Sequence, residues 1–125
     1  MKYDVVSFGD ITIDAFIKLK DAQIHCRINN EDCELCVRFG DKVPYESVEI
    51  VPAVGNSANA AVSISRLGLT SALRAYIGDD EDGKTCLRSL QKDGVDISYM
   101  VTDRNNKTNY HYVLSYGAER TILIK

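Results

Sequence analysis

Apolar and polar positions along the chain change period several times, and each change marks an element. The stretch YDVVSFG, Tyr3 to Gly9, is a short and mostly apolar run, the pattern of a strand buried on both faces. DITIDAFIKL then alternates, placing Asp10, Thr12 and Asp14 on one face and Ile11, Ile13 and Ala15 on the other. From Asp21 to Pro52 the chain is polar, broken by short apolar pairs such as Leu35/Val37 and Val48/Ile50, which predicts hairpins exposed on one face. NSANAAVSISRLG reads as a helix: Asn56 or Ser57 can cap it, Ala60, Ile64 and Leu67 share a face, and Gly68 ends it. SALRAYIG is a second apolar strand. DEDGKTCLRSLQKDG is a second helix, acidic at its positive end, with Lys92 near its negative end and Gly94 as the stop. YHYVLSY and RTILIK are two further strands. This order opens a parallel α/β sheet with a small β-rich excursion.

Composition narrows the picture. A chain of 125 residues, 45% hydrophobic and 26% charged, suits one globular domain. A net charge of -3 gives no electrostatic reason to expect nucleic acid or an anionic membrane surface. No apolar run approaches the roughly 20 residues of a membrane-spanning helix. MKYDVVSFGD lacks the apolar stretch and cleavage site of a signal peptide. The expectation is a cytoplasmic protein whose four cysteines are reduced thiols.

One motif demands a decision. GDDEDGKT, Gly78 to Thr85, fits the pattern G-x-x-x-x-G-K-T of a phosphate-binding loop, with a strand before it and a helix after it. Its contents oppose that use. Such a loop works because backbone N–H groups and a lysine converge on anionic oxygens. Here the intervening residues are Asp79, Asp80, Glu81 and Asp82. Like charges about 4 Å apart repel by about 1 kcal/mol in water and about 4 kcal/mol at an effective dielectric near 20. Several carboxylates outweigh the single Lys84, so the stretch reads as an acidic cap on a helix start.

VGNSANAAVSISRLG, Val54 to Gly68, offers Asn56, Ser57 and Asn59 in one helical turn after a glycine. Such residues are favoured caps. Asparagine also presents both a donor and an acceptor, which matches the hydroxyls of a polyol. Followed by SALRAYIGDDEDG, this segment resembles the N-terminal motif of the ribokinase-like (PfkB-type) carbohydrate kinases. DVVSFGDITIDAF resembles the first strand of that family, and TNYHYVLSYGAERTILI its later lid strand and return. The resemblance covers the chain as the N-terminal part of such a kinase, residues 1–125 forming part of one domain.

The resemblance implies a Rossmann-like, three-layer α/β sheet of ribokinase type, here incomplete, with a small β-rich lid over approximately residues 15–52 and 108–117. It implies transfer of the ATP γ-phosphate, with Mg²⁺, to a hydroxyl of a sugar or nucleoside, and a possible homodimer through the lid. Asp14, with Thr12 on the same strand, would bind substrate hydroxyls. Gly55 would let the backbone approach the substrate, Asn56 and Asn59 would hydrogen-bond it, and Gly78 and Asp79 would form a turn. The chain departs from the family in having Val54-Gly55 where a Gly-Gly doublet is frequent. The family's late glycine-rich anion hole with its aspartate base does not occur in it, so no catalytic residue and no metal ligand is assigned. The competing reading is a non-catalytic sugar-binding or structural module. The frame beyond Lys125 discriminates the two.

The remaining constellation is HCRINNEDCELC, with His25, Cys26, Cys33 and Cys36. Cys33-x-x-Cys36 has half the spacing of a zinc knuckle. Structural zinc, a disulfide and plain thiols are all open, with plain thiols favoured by the expected compartment. Cys86, beside Leu87 and Leu90, reads as core. His111, in YHYVLSY, reads either as a strand histidine or as a group aimed from the lid at the substrate.

Overall fold

A computed structural model of the chain describes residues 2–25 and 32–125. Ten strands and two helices follow one another: β1 (Val5–Phe8), β2 (Thr12–Leu19), β3 (Gln23–His25), β4 (Glu34–Cys36), β5 (Tyr45–Val54), α1 (Asn56–Arg66), β6 (Ser71–Arg74), β7 (Tyr76–Gly78), α2 (Glu81–Lys92), β8 (Val101–Asp103), β9 (Asn109–Tyr116) and β10 (Glu119–Leu123). They form two bodies of sheet. In one, β1 pairs in parallel with β6, and β7, one residue further along the same stretch, pairs in parallel with β8. In the other, the order is β10-β9-β2-β5, with β2 and β9 parallel and both outer pairs antiparallel. β3 and β4 make a separate hairpin.

The core lies where the helices meet both sheets. Ile11, just before β2, and Ile13 within it pack with Ala58 and Ala61 of α1, Leu73, Ala75 and Ile77 of the β6–β7 stretch, and Cys86 and Leu90 of α2. The alternation read from DITIDAFIKL places Ile11, Ile13 and Ala15 inward as expected, and Thr12 is buried too. Both helices end in the paired hydrogen bonds of a Schellman turn. Gly68 N–H donates to Ser65 and Leu69 N–H to Ile64, while Gly94 N–H donates to Gln91 and Val95 N–H to Leu90. Gly68 and Gly94, at φ +88° and +76°, are the stops the sequence predicted.

Three expectations change. β1 is not buried on both faces: Phe8 is 74% exposed, and among the described residues β6 is the strand paired with it. On α1 the inward face is Ser57, Ala58 and Ala61, while Ala60 and Leu67 are exposed. The alanines let the helix lie close to the β1–β6 pair, and Leu67 has left the helical register as the C-cap. The N-cap is Gly55, not Asn56 or Ser57, and no side chain caps the helix. Among the described residues no helix is long and apolar enough to cross a membrane.

In the hairpin, Cys33 is disulfide-bonded and Cys36 is a free thiol. The expectation of reduced thiols throughout therefore fails at Cys33. Antiparallel pairing of β3 with β4 sets His25 opposite Glu34, the residue after Cys33. Among the described residues no group of three or more His, Cys, Asp or Glu could hold a metal ion. Cys26 lies outside the described residues. Cys86 is fully buried, as read, and burial pushes its thiol pKa up.

Candidate functional site

The parallel pairing of β2 with β9 sets Thr12 beside Asn109, Asp14 beside His111 and Phe16 beside Val113. Asp14 and His111 therefore share a face of the sheet. Asp14 Oδ1 lies 3.6 Å from His111 Nδ1, and each side chain keeps 20% of its surface exposed. That distance exceeds a hydrogen bond, and Asp14 Oδ1 is buried without a partner. An unpartnered buried carboxylate oxygen is costly and marks a place where a donor is wanted. Thr12 is differently placed. Its hydroxyl lies 3.1 Å from the carbonyls of Ile13 and Asn109, so it fastens β2 to β9.

A second segment reaches the base of β2 from the other side. Thr12 pairs with Val54 and Asp14 with Val51, so one extra residue of β5 bulges opposite Ile13. Ala53, at φ +57°, sits in this bulge in the left-handed region. Gly55 follows at φ +108°, where a Cβ would lie 3.3 Å from the Asp10 carbonyl oxygen. A side chain there would both strain the backbone and press on the β1–β2 turn. Ser57 turns away from the helix end and donates its hydroxyl to the Asp10 carbonyl. Asn56 and Asn59 are exposed on the first turn of α1. The structure thus juxtaposes Asp14, His111 and Thr12 directly. It leads Gly55 and Asn56 out from the strand position beside Thr12, and no hydrogen bond joins Asn56 or Asn59 to Asp14.

The Gly78–Thr85 stretch answers the motif question in atomic terms. Asp80 caps α2, its Oδ1 accepting from Gly83 N–H at 2.8 Å. The same carboxylate accepts from the Thr108 hydroxyl at 2.6 Å and from Thr108 N–H at 2.9 Å. The Thr108 hydroxyl in turn accepts from Gly78 N–H at 2.9 Å. The chain's own carboxylate occupies the anion position at this helix start, so it is no seat for a triphosphate. The glycines are required by crowding: a Cβ on Gly78 would lie 2.5 Å from Thr108 N, and one on Gly83 would lie 2.4 Å from Gly78 O. Burial alone would raise the Asp80 pKa, but the Thr108 hydroxyl, the Thr108 and Gly83 N–H groups and the Lys107 charge together hold it below the ordinary value. Lys84 is exposed and lies 3.7 Å from Glu81.

Sequence reasoning recognised the acidic cap but missed Thr108 as its partner. The two residues lie 28 positions apart, and no local pattern links them. Surface clefts of about 470 Å³ beside Asp21, Arg38 and Lys42, and about 790 Å³ between Asp82, Tyr110 and Leu123, lie away from Asp14.

The sequence pattern of the pfkB family carbohydrate kinases matches residues 4–125. The chain belongs to that family. Fructokinase of Escherichia coli is 39% identical over 70 residues, 55% of this chain and 23% of that protein. Probable fructokinase-7 of Arabidopsis thaliana is 34% identical over 114 residues, 77% of this chain and 32% of that protein. Among solved structures, an uncharacterized sugar kinase from Pyrococcus horikoshii superposes with a TM-score of 0.69 at 28% identity, covering 96% of this chain and 34% of that one. Arabidopsis thaliana ribokinase complexed with ribose and ATP gives 0.78 at 19% identity, covering 100% and 36%, a likeness of fold alone. The fold is therefore the ribokinase-type α/β fold, present in part. The chain spans about a quarter to a third of the length of these family members.

Proposed function

We propose that this chain supplies the sugar-binding portion of an ATP-dependent carbohydrate kinase, with the β10-β9-β2-β5 sheet as the lid over the sugar. The observation that carries the reading is the Asp14 carboxylate on the strand joining that sheet to the core, a fifth of its side chain still open and its inner oxygen buried without a hydrogen bond. An ionised carboxylate only accepts hydrogen bonds, so its ligand must bring a donor, and a sugar hydroxyl is one. In this reading Asp14 binds a hydroxyl, Asn56 and Asn59 bind others from α1, and Gly55 keeps the approach open. Thr12 serves by fixing the pairing beside Asp14. Membership of the family supports ATP as phosphoryl donor and Mg²⁺ as its companion. When bound, they supply the phosphoryl group and neutralise its charge. At the helix start that fits the phosphate-loop pattern Asp80 fills the anion position itself, and among the described residues no group of three or more His, Cys, Asp or Glu could hold a metal ion. Calorimetric titration with D-fructose tests the sugar-binding role. Asp14→Ala should weaken binding roughly ten- to hundredfold, the value of a hydrogen bond to a charged group. Unchanged affinity in a folded variant removes Asp14 from the site.

The same reading keeps a homodimer through the lid. Ile50, Tyr112 and Leu123 lie in one row across the sheet, through Ala15, and all three stay exposed. Sedimentation should show a dimer that Tyr112→Glu disperses, and a monomeric wild-type chain would end the idea.

A further inference from the structure

Within the proposed sugar site, Asp14 offers its two carboxylate oxygens to different surroundings. Oδ1 is buried without a partner, so the exposed share of the side chain belongs to the rest of the carboxyl group, its outward oxygen included. The buried oxygen faces the His111 ring, whose Nδ1 lies 3.6 Å away. That separation is about 0.7–0.9 Å longer than a charge-assisted hydrogen bond, so the two groups must close on each other to make one. The two residues are register partners on adjacent parallel strands, so the backbone itself holds them side by side. Thr12, two residues before Asp14, has already committed its hydroxyl to backbone carbonyls and is not a competing donor. Beyond the pair, Phe16 faces the buried Val113 and offers no hydrogen bond.

We infer that His111 is the positioning residue of this site. It carries its proton on Nδ1, donates to the buried oxygen of Asp14, and fixes the carboxylate so that the outward oxygen meets the ligand hydroxyl. The inference rests on the sugar-site reading and adds a second residue and a direction to it. A bare Nδ1 facing a carboxylate oxygen would set lone pair against lone pair, so the neutral ring must adopt the tautomer protonated at Nδ1.

Long-range ¹H–¹⁵N correlation of the His111 ring in the full chain, at a pH where the ring is neutral, reads the tautomer. Titration with D-fructose, D-ribose and adenosine reads the consequence. The inference expects the proton on Nδ1. It also expects roughly tenfold weaker binding in His111→Ala, the loss of one hydrogen bond to a charged group. His111→Asn should restore binding to within about threefold, since its amide nitrogen stands as many bonds from Cα as Nδ1 does. A merely structural histidine would show no preference for Asn over Ala. An unprotonated Nδ1, or full affinity in His111→Ala while Asp14→Ala loses it, overturns the inference and leaves the sugar site standing. Binding unaffected by Asp14→Ala, or no binding by any of the three ligands, overturns the sugar site and this inference together.

Discussion

Removing the Asp80 carboxylate should destabilise the protein more than removing any neighbouring acid. Three donors converge on it: Gly83 N–H, Thr108 N–H and the Thr108 hydroxyl, at 2.8, 2.9 and 2.6 Å. Losing a helix N-cap costs roughly 0.5–2 kcal/mol, and each hydrogen bond to a charged group is worth about 1.5–3 kcal/mol. These terms share one group and do not add, and the site is partly solvated, so about 3 kcal/mol for Asp80→Ala is the working value. Asp79→Ala, whose exposed partner Arg104 is 3.7 Å away, should stay within about 0.5 kcal/mol. Urea unfolding followed by circular dichroism measures both, and amide hydrogen exchange localises the effect to Gly83 and Thr108. A double-mutant cycle with Thr108→Val should show a coupling of at least about 1 kcal/mol. The pH dependence has a fixed sign. Because the folded-state pKa of Asp80 is lowered, its contribution is complete above the unfolded value near 3.9 and disappears as pH falls through the folded value. The wild type should therefore lead Asp80→Ala at neutral pH and lose that lead in acid. Equal stabilities of the Asp79 and Asp80 variants, or no coupling to Thr108, would refute the reasoning.

Gly83→Ala should cost about 3 kcal/mol or leave the protein unfolded, since its Cβ would lie 2.4 Å from the Gly78 carbonyl oxygen; near-native stability in the same urea assay would mean the junction is looser than described. Lys84→Ala should leave nucleotide affinity unchanged in any longer polypeptide of this protein that binds ATP. A tenfold loss in a fluorescent-nucleotide titration would restore the phosphate-loop reading.

Much of the architecture was legible because it is local. Period-two alternation located β2 and its inward Ile11 and Ile13, and glycines at Schellman turns located both helix ends. The inward face of α1 was misjudged because alanines carry little hydrophobic signal, and the larger Leu67 drew the stripe toward a cap residue that lies exposed. β8 has three residues, too few for any period to show. Of the candidate site, Asp14 was named through the family resemblance, while its pairing with His111 depends on a parallel register between strands 97 residues apart. The same holds for Asp80 and Thr108, whose meeting is a property of the fold and not of either motif.

The central claim is that one sugar-binding surface forms from β2, the start of α1 and β9. Amide and side-chain chemical-shift mapping of the full chain during titration with D-fructose tests it most directly. The account predicts that the largest shifts cluster at Asp14, Gly55, Asn56, Asn59 and His111, with Gly78 to Thr85 unmoved. Shifts centred on the Asp82–Tyr110–Leu123 cleft, or saturable binding that leaves Asp14 and His111 untouched, would contradict it.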